Sequence, residues 1–543
     1  MAGQLYRVDE LRVPLDFDRE HLAARLAKEI RIPLRFVARL RVVREAVDAR
    51  KKPHLYYSLR VEFESPEILH SPLPRGVRAI ERSALDIPDP SFYDSTPRRS
   101  PERIAVVGAG PAGLFAALCL AERGVRMVIL ERGRKVEARM KDIGVLRAKG
   151  TLDPESNVCF GEGGAGAYTD GKLYTRTKHP FARWVMRRLV EFGAPERILT
   201  DAHPHLGTDK LVAIIKNLRK RVIERGGEFR FESRVDRLLL RDGAAVGVRL
   251  ASGEEIPAAA VILAIGHSAR DTLEGLERDG VPIEAKPFAV GVRAEHDQEF
   301  IDRAQYGNPE AAKLVGAAAY ALTHQEDGRG VYSFCMCPGG FIVPSPTEPG
   351  RMVVNGMSNS TRSARFANSG VVVQISPEAL LAHGYGDSPL RGIAFQRDLE
   401  EAAFKAVRNP YFAPAMRVSD FVSGKATGKL AASNFLPGIE PADLRALLPD
   451  WVADPLAAGL RAFDQRLKGY SSEEANLFGV ESRTSAPIRI PRTDRMMSIG
   501  VEGLYPVGEG AGYAGGIISA AVDGVRAAEA LLAVLSVESV PAK

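Results

Sequence analysis

Arg103-Ile104-Ala105-Val106-Val107-Gly108-Ala109-Gly110-Pro111-Ala112-Gly113 is the stretch on which the fold turns. Its apolar, β-branched opening reads as a buried strand, and the glycine-rich turn after it leads into a helix predicted over Leu114–Arg123. A second strand, Arg126–Leu130, ends on Glu131, with Arg132 beside it. Each glycine has a distinct task. Gly108 permits the tight turn, Gly110 lets the backbone approach a pyrophosphate, and Gly113 lets helix and strand pack closely. Pro111 and Ala112 belong to the turn that opens the helix, whose free N–H groups and partial positive charge suit phosphates. Glu131 stands where a carboxylate accepts hydrogen bonds from an adenosine ribose. That carboxylate disfavours a 2′-phosphate, which leaves FAD or NAD rather than NADP.

The other end of the chain decides between those two. Leu504-Tyr505-Pro506-Val507 reads as a strand, followed by Gly508-Glu509-Gly510-Ala511-Gly512-Tyr513-Ala514-Gly515-Gly516 and a helix predicted over Ile517–Leu532. This layout resembles the C-terminal flavin segment of two-part FAD oxidoreductases. The resemblance makes Glu509 the ribityl ligand and sets the N–H groups near Gly516 and Ile517 against the flavin edge. The apolar strand Ala259–Ile265 and Gly266 resemble the middle motif of the same class. Between them, Asn157–Lys172 is too rich in glycine for a stable helix. It reads either as a flexible loop or, favoured by the same resemblance, as a wrapping loop. In the second case Gly163, Gly164 and Gly166 meet the cofactor, and Asp170 and Lys172 lie near the ring.

The composition is that of a globular chain long enough for two to four domains: 543 residues, 45% hydrophobic, 26% charged. A net charge of +6 is mild for this length and compatible with anionic ligands without indicating nucleic acid. Four cysteines, an N-terminus without a basic-then-apolar layout and no apolar run of bilayer-spanning length point to the cytoplasm and to no membrane partner. The expected organisation is a small α/β domain over residues 1–64 and a proline-rich linker over 65–102. An FAD-binding domain occupies 103–286 and 481–543, interrupted by a strand-rich substrate domain over 287–480. In the first domain, strands are expected at Val8–Leu15, Arg35–Val43 and Leu55–Glu62, a helix at Glu20–Glu29, and a charged turn at Asp48–Pro53.

As a set, that N-terminal domain, Cys335-Met336-Cys337-Pro338-Gly339-Gly340 and Glu481-Ser482-Arg483-Thr484-Ser485-Ala486-Pro487 resemble an uncharacterised bacterial family, the FAD-dependent (NAD(FAD)-utilizing) dehydrogenases. The resemblance covers nearly the whole chain. It implies an α/β fold with a Rossmann-type, glutathione-reductase-like FAD-binding domain, a bound FAD and an inserted substrate domain. It implies no substrate.

Candidate chemistry clusters at a few side chains. Cys335 and Cys337, two apart in a strand, would share a face and serve thiol chemistry, half a metal site or simple core packing. With only Cys119 and Cys159 as further sulfur ligands, a zinc site is disfavoured. Pro338-Gly339-Gly340 reads as a turn that brings this segment close to a ring. Arg483 could clamp a substrate carboxylate or be structural, with Glu481 as its partner. His267 is a candidate base or a structural residue of the adenine half, and Tyr513 a candidate ring contact. No second glycine fingerprint is visible, so NAD(P)H is expected at most as a transient donor. The leading expectation is a dehydrogenase or reductase of a small, anionic or unsaturated metabolite. The alternative is a flavin-dependent RNA (tRNA)-modifying protein, whose phosphate contacts would be Arg50-Lys51-Lys52 and Lys216–Arg221. Those charges sit beside acids, which disfavours it.

Overall fold

Ile104–Val107, Met127–Leu130 and Ala260–Leu263 have every residue buried, as expected of strands covered on both faces. In the computed structural model of the chain, which describes residues 3–84, 86, 87, 89, 103–168 and 170–537, they form the centre of a parallel sheet. Its order is Leu504–Pro506, Ala260–Leu263, Ile104–Val107, Met127–Leu130, Glu228–Arg230. One face is covered by the helices Pro111–Glu122, Phe181–Glu191, Thr208–Glu224 and Ile517–Val537 in one hydrophobic cluster. The last helix presses on the first at Gly524, where a Cβ would stand 2.0 Å from the Ala112 carbonyl oxygen. The opposite face carries a small antiparallel sheet, Val235–Arg241, Ala244–Leu250 and Glu255–Pro257.

The intervening segment builds an eight-stranded sheet around Phe288–Asp297, flanked by Phe366–Ile375 and Asn476–Glu481. Alternation divides the central strand. Val290, Val292 and Ala294 join an apolar cluster with the helix Asp450–Arg466, whereas Arg293 and Glu295 are buried on the other side. This segment is less strand-dominated than its sequence led us to expect, since it also carries the helices Arg391–Lys405 and Asp450–Arg466. The strand Asn476–Glu481 runs one residue past the expected boundary at 480.

The N-terminal unit is a four-stranded antiparallel sheet with one helix, Leu22–Ile30. Two of its strands, Ala38–Lys51 and His54–Ser65, pair as a hairpin, so most of the expected charged turn is strand and only Lys52-Pro53 turns. Val77–Ile80 pairs with Gln4–Pro14, which carries this sheet past residue 64 into the stretch expected as linker. Of that linker, residues 85, 88 and 90–102 lie outside the described residues.

Candidate cofactor and redox site

A cleft enclosing about 1770 Å³ of space, counted with the solvent at its mouth, opens between the parallel sheet and the eight-stranded sheet. The first glycine turn forms its floor. Gly108, at φ 102°, could carry no side chain, because a Cβ would stand 2.3 Å from the Ala264 carbonyl oxygen. Gly110 is the N-cap of Pro111–Glu122 in extended backbone, and a Cβ there would meet only the Gly164 Cα, at 3.8 Å. Among the described residues, chain neighbours apart, nothing lies within 4 Å of a Cβ built on Gly266, Gly515 or Gly516. Open space over two helix N-termini is a cradle for a dinucleotide pyrophosphate and flavin, so the residues present fit FAD.

Glu131 closes one end. Its carboxylate accepts from the backbone N–H groups of Ala109 (2.8 Å), Gly133 (2.9 Å) and Gly161 (3.0 Å), which ties three loops to one side chain. Beside it Arg132 forks onto Asp271 at 2.9 and 3.0 Å and lies 3.9 Å over the Phe160 ring. The wrapping loop is ordered by a residue that sequence reasoning missed. Arg139, fully buried on the helix Val136–Lys149, donates to the carbonyls of Asn157, Val158, Gly161, Glu162 and Gly164 at 2.6–3.2 Å. Burial alone draws its pKa below the ordinary guanidinium value. No local pattern marks it, since its partners are 18–25 residues away.

Glu509 and Ile517 also line the cleft, as do Asp170, Lys172, Phe334, Cys335 and Asn355. Burial, with the Cys335 sulfur adding, pushes the Glu509 carboxyl up to about 7 against the pull of Lys286. His267 stands 3.9 Å from Glu509, and burial followed by the charges of Arg483 and Arg270 lowers its pKa to about 3. Such an imidazole stays neutral at physiological pH and accepts a proton only weakly. Asp170 is buried under Arg362 at 2.5 Å, Lys172 at 3.4 Å and a short bond from Ser358.

The cysteine segment is not a turn. It belongs to one long strand, Arg329–Pro344, whose register breaks between Phe334 and Cys337 and again before Gly340. Cys335 takes left-handed backbone, φ 45°, and lines the cleft, while Cys337 sits fully buried behind it. Lys172 Nζ reaches both sulfurs, at 3.7 and 3.9 Å, and makes a short bond to the Met336 carbonyl. Arg293, missed from sequence, donates to the Cys335 carbonyl at 2.8 Å and the Cys337 sulfur at 3.6 Å, and pairs with Glu481 at 2.7 Å.

Most residues expected at the site therefore line one cleft, and Gly113, Gly163 and Cys337 do not. Gly113 serves packing, since a Cβ there would stand 1.9 Å from the Gly108 oxygen. Gly163, at φ 85°, donates to the Ala109 carbonyl at 2.8 Å and backs onto Ile215. Arg483 lines the cleft, but its fork is closed on Glu400 at 2.9 and 2.6 Å, with Ser268 and Thr347 taking further donors. It is therefore a structural group rather than a free carboxylate clamp, and its partner is Glu400, not Glu481. Arg270 grips the same carboxylate, and both cations outweigh burial to hold Glu400 well below the usual range. Tyr513 points away from the cleft, under Arg492 at 3.6 Å, with its hydroxyl on the Ile490 carbonyl. Two arginines of the basic runs are paired: Arg50 with Asp48 at 2.7 Å, Arg219 with Glu137 and Glu162 at 2.8 and 2.5 Å.

Family matches coincide with these parts. Residues 102–151 match an FAD binding domain, 287–484 the C-terminal domain-like region of an FAD-dependent protein family, and 6–64 a domain of unknown function. An uncharacterized protein of Clostridium beijerinckii is 42% identical over 97% of this chain and 98% of its own. Among solved structures, FqzB aligns over 79% of this chain and 75% of its own, at 16% identity and a TM-score of 0.36. A geranylgeranyl bacteriochlorophyll reductase-like protein from Thermoplasma acidophilum aligns over 81% and 80%, at 12% identity and a TM-score of 0.34.

Proposed function

The chain belongs to one family with the Clostridium beijerinckii protein and is a flavoprotein oxidoreductase that uses FAD; on that premise we propose that it exchanges electrons with a small anionic or unsaturated metabolite. One observation carries the reading. The second sheet delivers Phe334, Cys335 and Asn355 to the cleft that Glu509 and the N-terminus of Ile517–Val537 also line, with the Cys335 sulfur close enough to act on the Glu509 carboxyl. Bound FAD supplies the two-electron chemistry, and the protein supplies position and field.

In this reading the Gly108–Gly113 turn seats the pyrophosphate and Glu131 takes the adenosine ribose. Glu509 takes the ribityl chain, as in a glutathione-reductase-like arrangement. The N–H groups at Gly516 and Ile517 favour negative charge on the ring. Lys172, with its side chain about one-third exposed (35%), offers its ammonium to an anionic substrate group. Burial would lower its pKa, but the two thiols and Asp170 outweigh that and keep it protonated. NAD(P)H would dock transiently as donor. The cytoplasm suits two reduced cysteines at a redox site, and among the described residues no helix is long and apolar enough to cross a membrane.

The test is the visible spectrum of the purified protein during anaerobic addition of NADH or NADPH, then of candidate metabolites. Bleaching of the flavin peaks by one of them is the expected outcome. A protein that takes up no flavin even when FAD is added would overturn the reading.

A further inference from the structure

We propose that Cys335 and Cys337 form a dithiol–disulfide couple that exchanges an electron pair with the FAD, a second two-electron centre in the same site. The inference rests on the reading that FAD fills the cleft with its ring toward Glu509.

Three observations support it. The first is reach. Residues two apart in a regular strand lie about 6.6 Å apart at Cα, close to the upper limit for a disulfide. Here the strand is not regular: Cys335 has left-handed backbone and the register breaks between Phe334 and Cys337, the Cys337 sulfur folds back to 3.2 Å from the Cys335 carbonyl oxygen, and both sulfurs lie within 4 Å of one Lys172 ammonium. The second is charge. Lys172 and Arg293 face the sulfur pair, opposed by Asp170, which Arg362 neutralises, and by Glu481, which is spent on Arg293. The hydrogen bond from Cys337, then Lys172 and Arg293, outweigh burial and hold the Cys335 thiol well below its ordinary range. The same bond and burial push Cys337 above it. The surroundings thus favour the thiolate at Cys335 and the thiol at Cys337, the asymmetry that thiol–disulfide exchange uses. The third is placement: Cys335 lines the cleft and Cys337 lies directly behind it. Among the described residues no cluster of three or more His, Cys, Asp or Glu could hold a metal ion there.

The step balances as follows. The Cys335 thiolate and the Cys337 thiol form one S–S bond and give up two electrons and the Cys337 proton. Oxidised FAD takes both electrons and that proton, becoming FADH⁻. The reverse reaction cleaves the disulfide with an electron pair from reduced FAD.

The test is electron counting on the holoprotein. It is first oxidised, then titrated anaerobically with dithionite while flavin absorbance is followed. Samples are alkylated with iodoacetamide, and the tryptic peptide Gly330–Arg351, which holds both cysteines, is weighed. The expected result is uptake of two electron pairs per flavin, with the oxidised peptide two hydrogens lighter and unalkylated and the reduced peptide alkylated twice. Cys337→Ser, outside the cleft lining, should take up one pair, and Cys335→Ser the same. Uptake of a single pair by the wild type, with both cysteines alkylated before and after, overturns the couple while leaving the flavin reading intact. A protein that holds no flavin overturns both.

Discussion

Gly110 and Gly113 lie three residues apart in one motif, yet the structure assigns them opposite vulnerabilities. Gly110→Ala adds a methyl in backbone that alanine accepts, φ −77° and ψ −176°, with its nearest protein atom 3.8 Å away. As an N-cap change it should cost the apoprotein no more than about 1 kcal/mol. The methyl occupies the space the pyrophosphate needs. If it displaces two N–H···phosphate bonds of about 1.5–3 kcal/mol each, the loss is ~3–6 kcal/mol. That is a rise of about two to four decades in the FAD dissociation constant. Gly113→Ala instead sets a carbon 1.9 Å from the Gly108 oxygen, so helix and strand must separate. Overpacking of that kind costs about 1–3 kcal/mol of stability with or without cofactor. Flavin-fluorescence titration of the apoproteins and urea unfolding without FAD separate the two effects. A Gly110→Ala protein that binds FAD within about tenfold of wild type would refute the placement of the pyrophosphate.

Glu400→Gln leaves Arg270 and Arg483 buried without their shared counter-charge, so urea unfolding should show a loss of about 3–5 kcal/mol; a change below ~1 kcal/mol would mean the cluster is solvated. Glu295 is buried on the Arg293 side of the sheet, and burial pushes its carboxyl up to about 7 against hydrogen bonds from Ser433 and the Asn434 N–H. The folded state then holds a proton that the unfolded state has lost, so stability falls as pH rises from about 4.5 to 7, by up to ~3 kcal/mol. The stability of wild type minus that of Glu295→Gln should therefore fall by that amount over the same pH range, so that the variant gains on wild type at alkaline pH; parallel profiles would count against it. Lys172→Met removes the cation within 4 Å of both sulfurs, which should raise the Cys335 thiol pKa and slow its alkylation at neutral pH. An unchanged alkylation rate would show that Lys172 does not set it.

What sequence reveals here depends on the range over which each residue acts. The glycine turns were legible because their work is local: turn, close approach and helix packing all fall within a few residues of Gly108 and Gly508. Pairings across the chain were not. Arg483 meets Glu400, 83 residues away, rather than the nearby Glu481, and only the folded sheet shows that Glu481 is taken by Arg293. Tyr513 sits in the right loop but turns toward Arg492, a cation–π contact with no local signature. The helix Asp450–Arg466 was obscured by Pro455 in its interior, a residue that ordinarily interrupts helical patterning. The Cys335 strand read as a turn because Pro338-Gly339-Gly340 mimics one; its two register breaks absorb those residues without ending the ladder.

The carbonyl clamp of Arg139 bears on how fast the protein captures its cofactor. A loop with four glycines between Gly161 and Gly166 would ordinarily sample many shapes, and a ligand would have to wait for, or induce, the right one. Five carbonyls held by one planar cation remove that search in advance, so the entropy of ordering is spent during folding and not at binding. Capture of FAD should therefore be limited by encounter rather than by rearrangement, with a single-phase rate that grows linearly with FAD concentration.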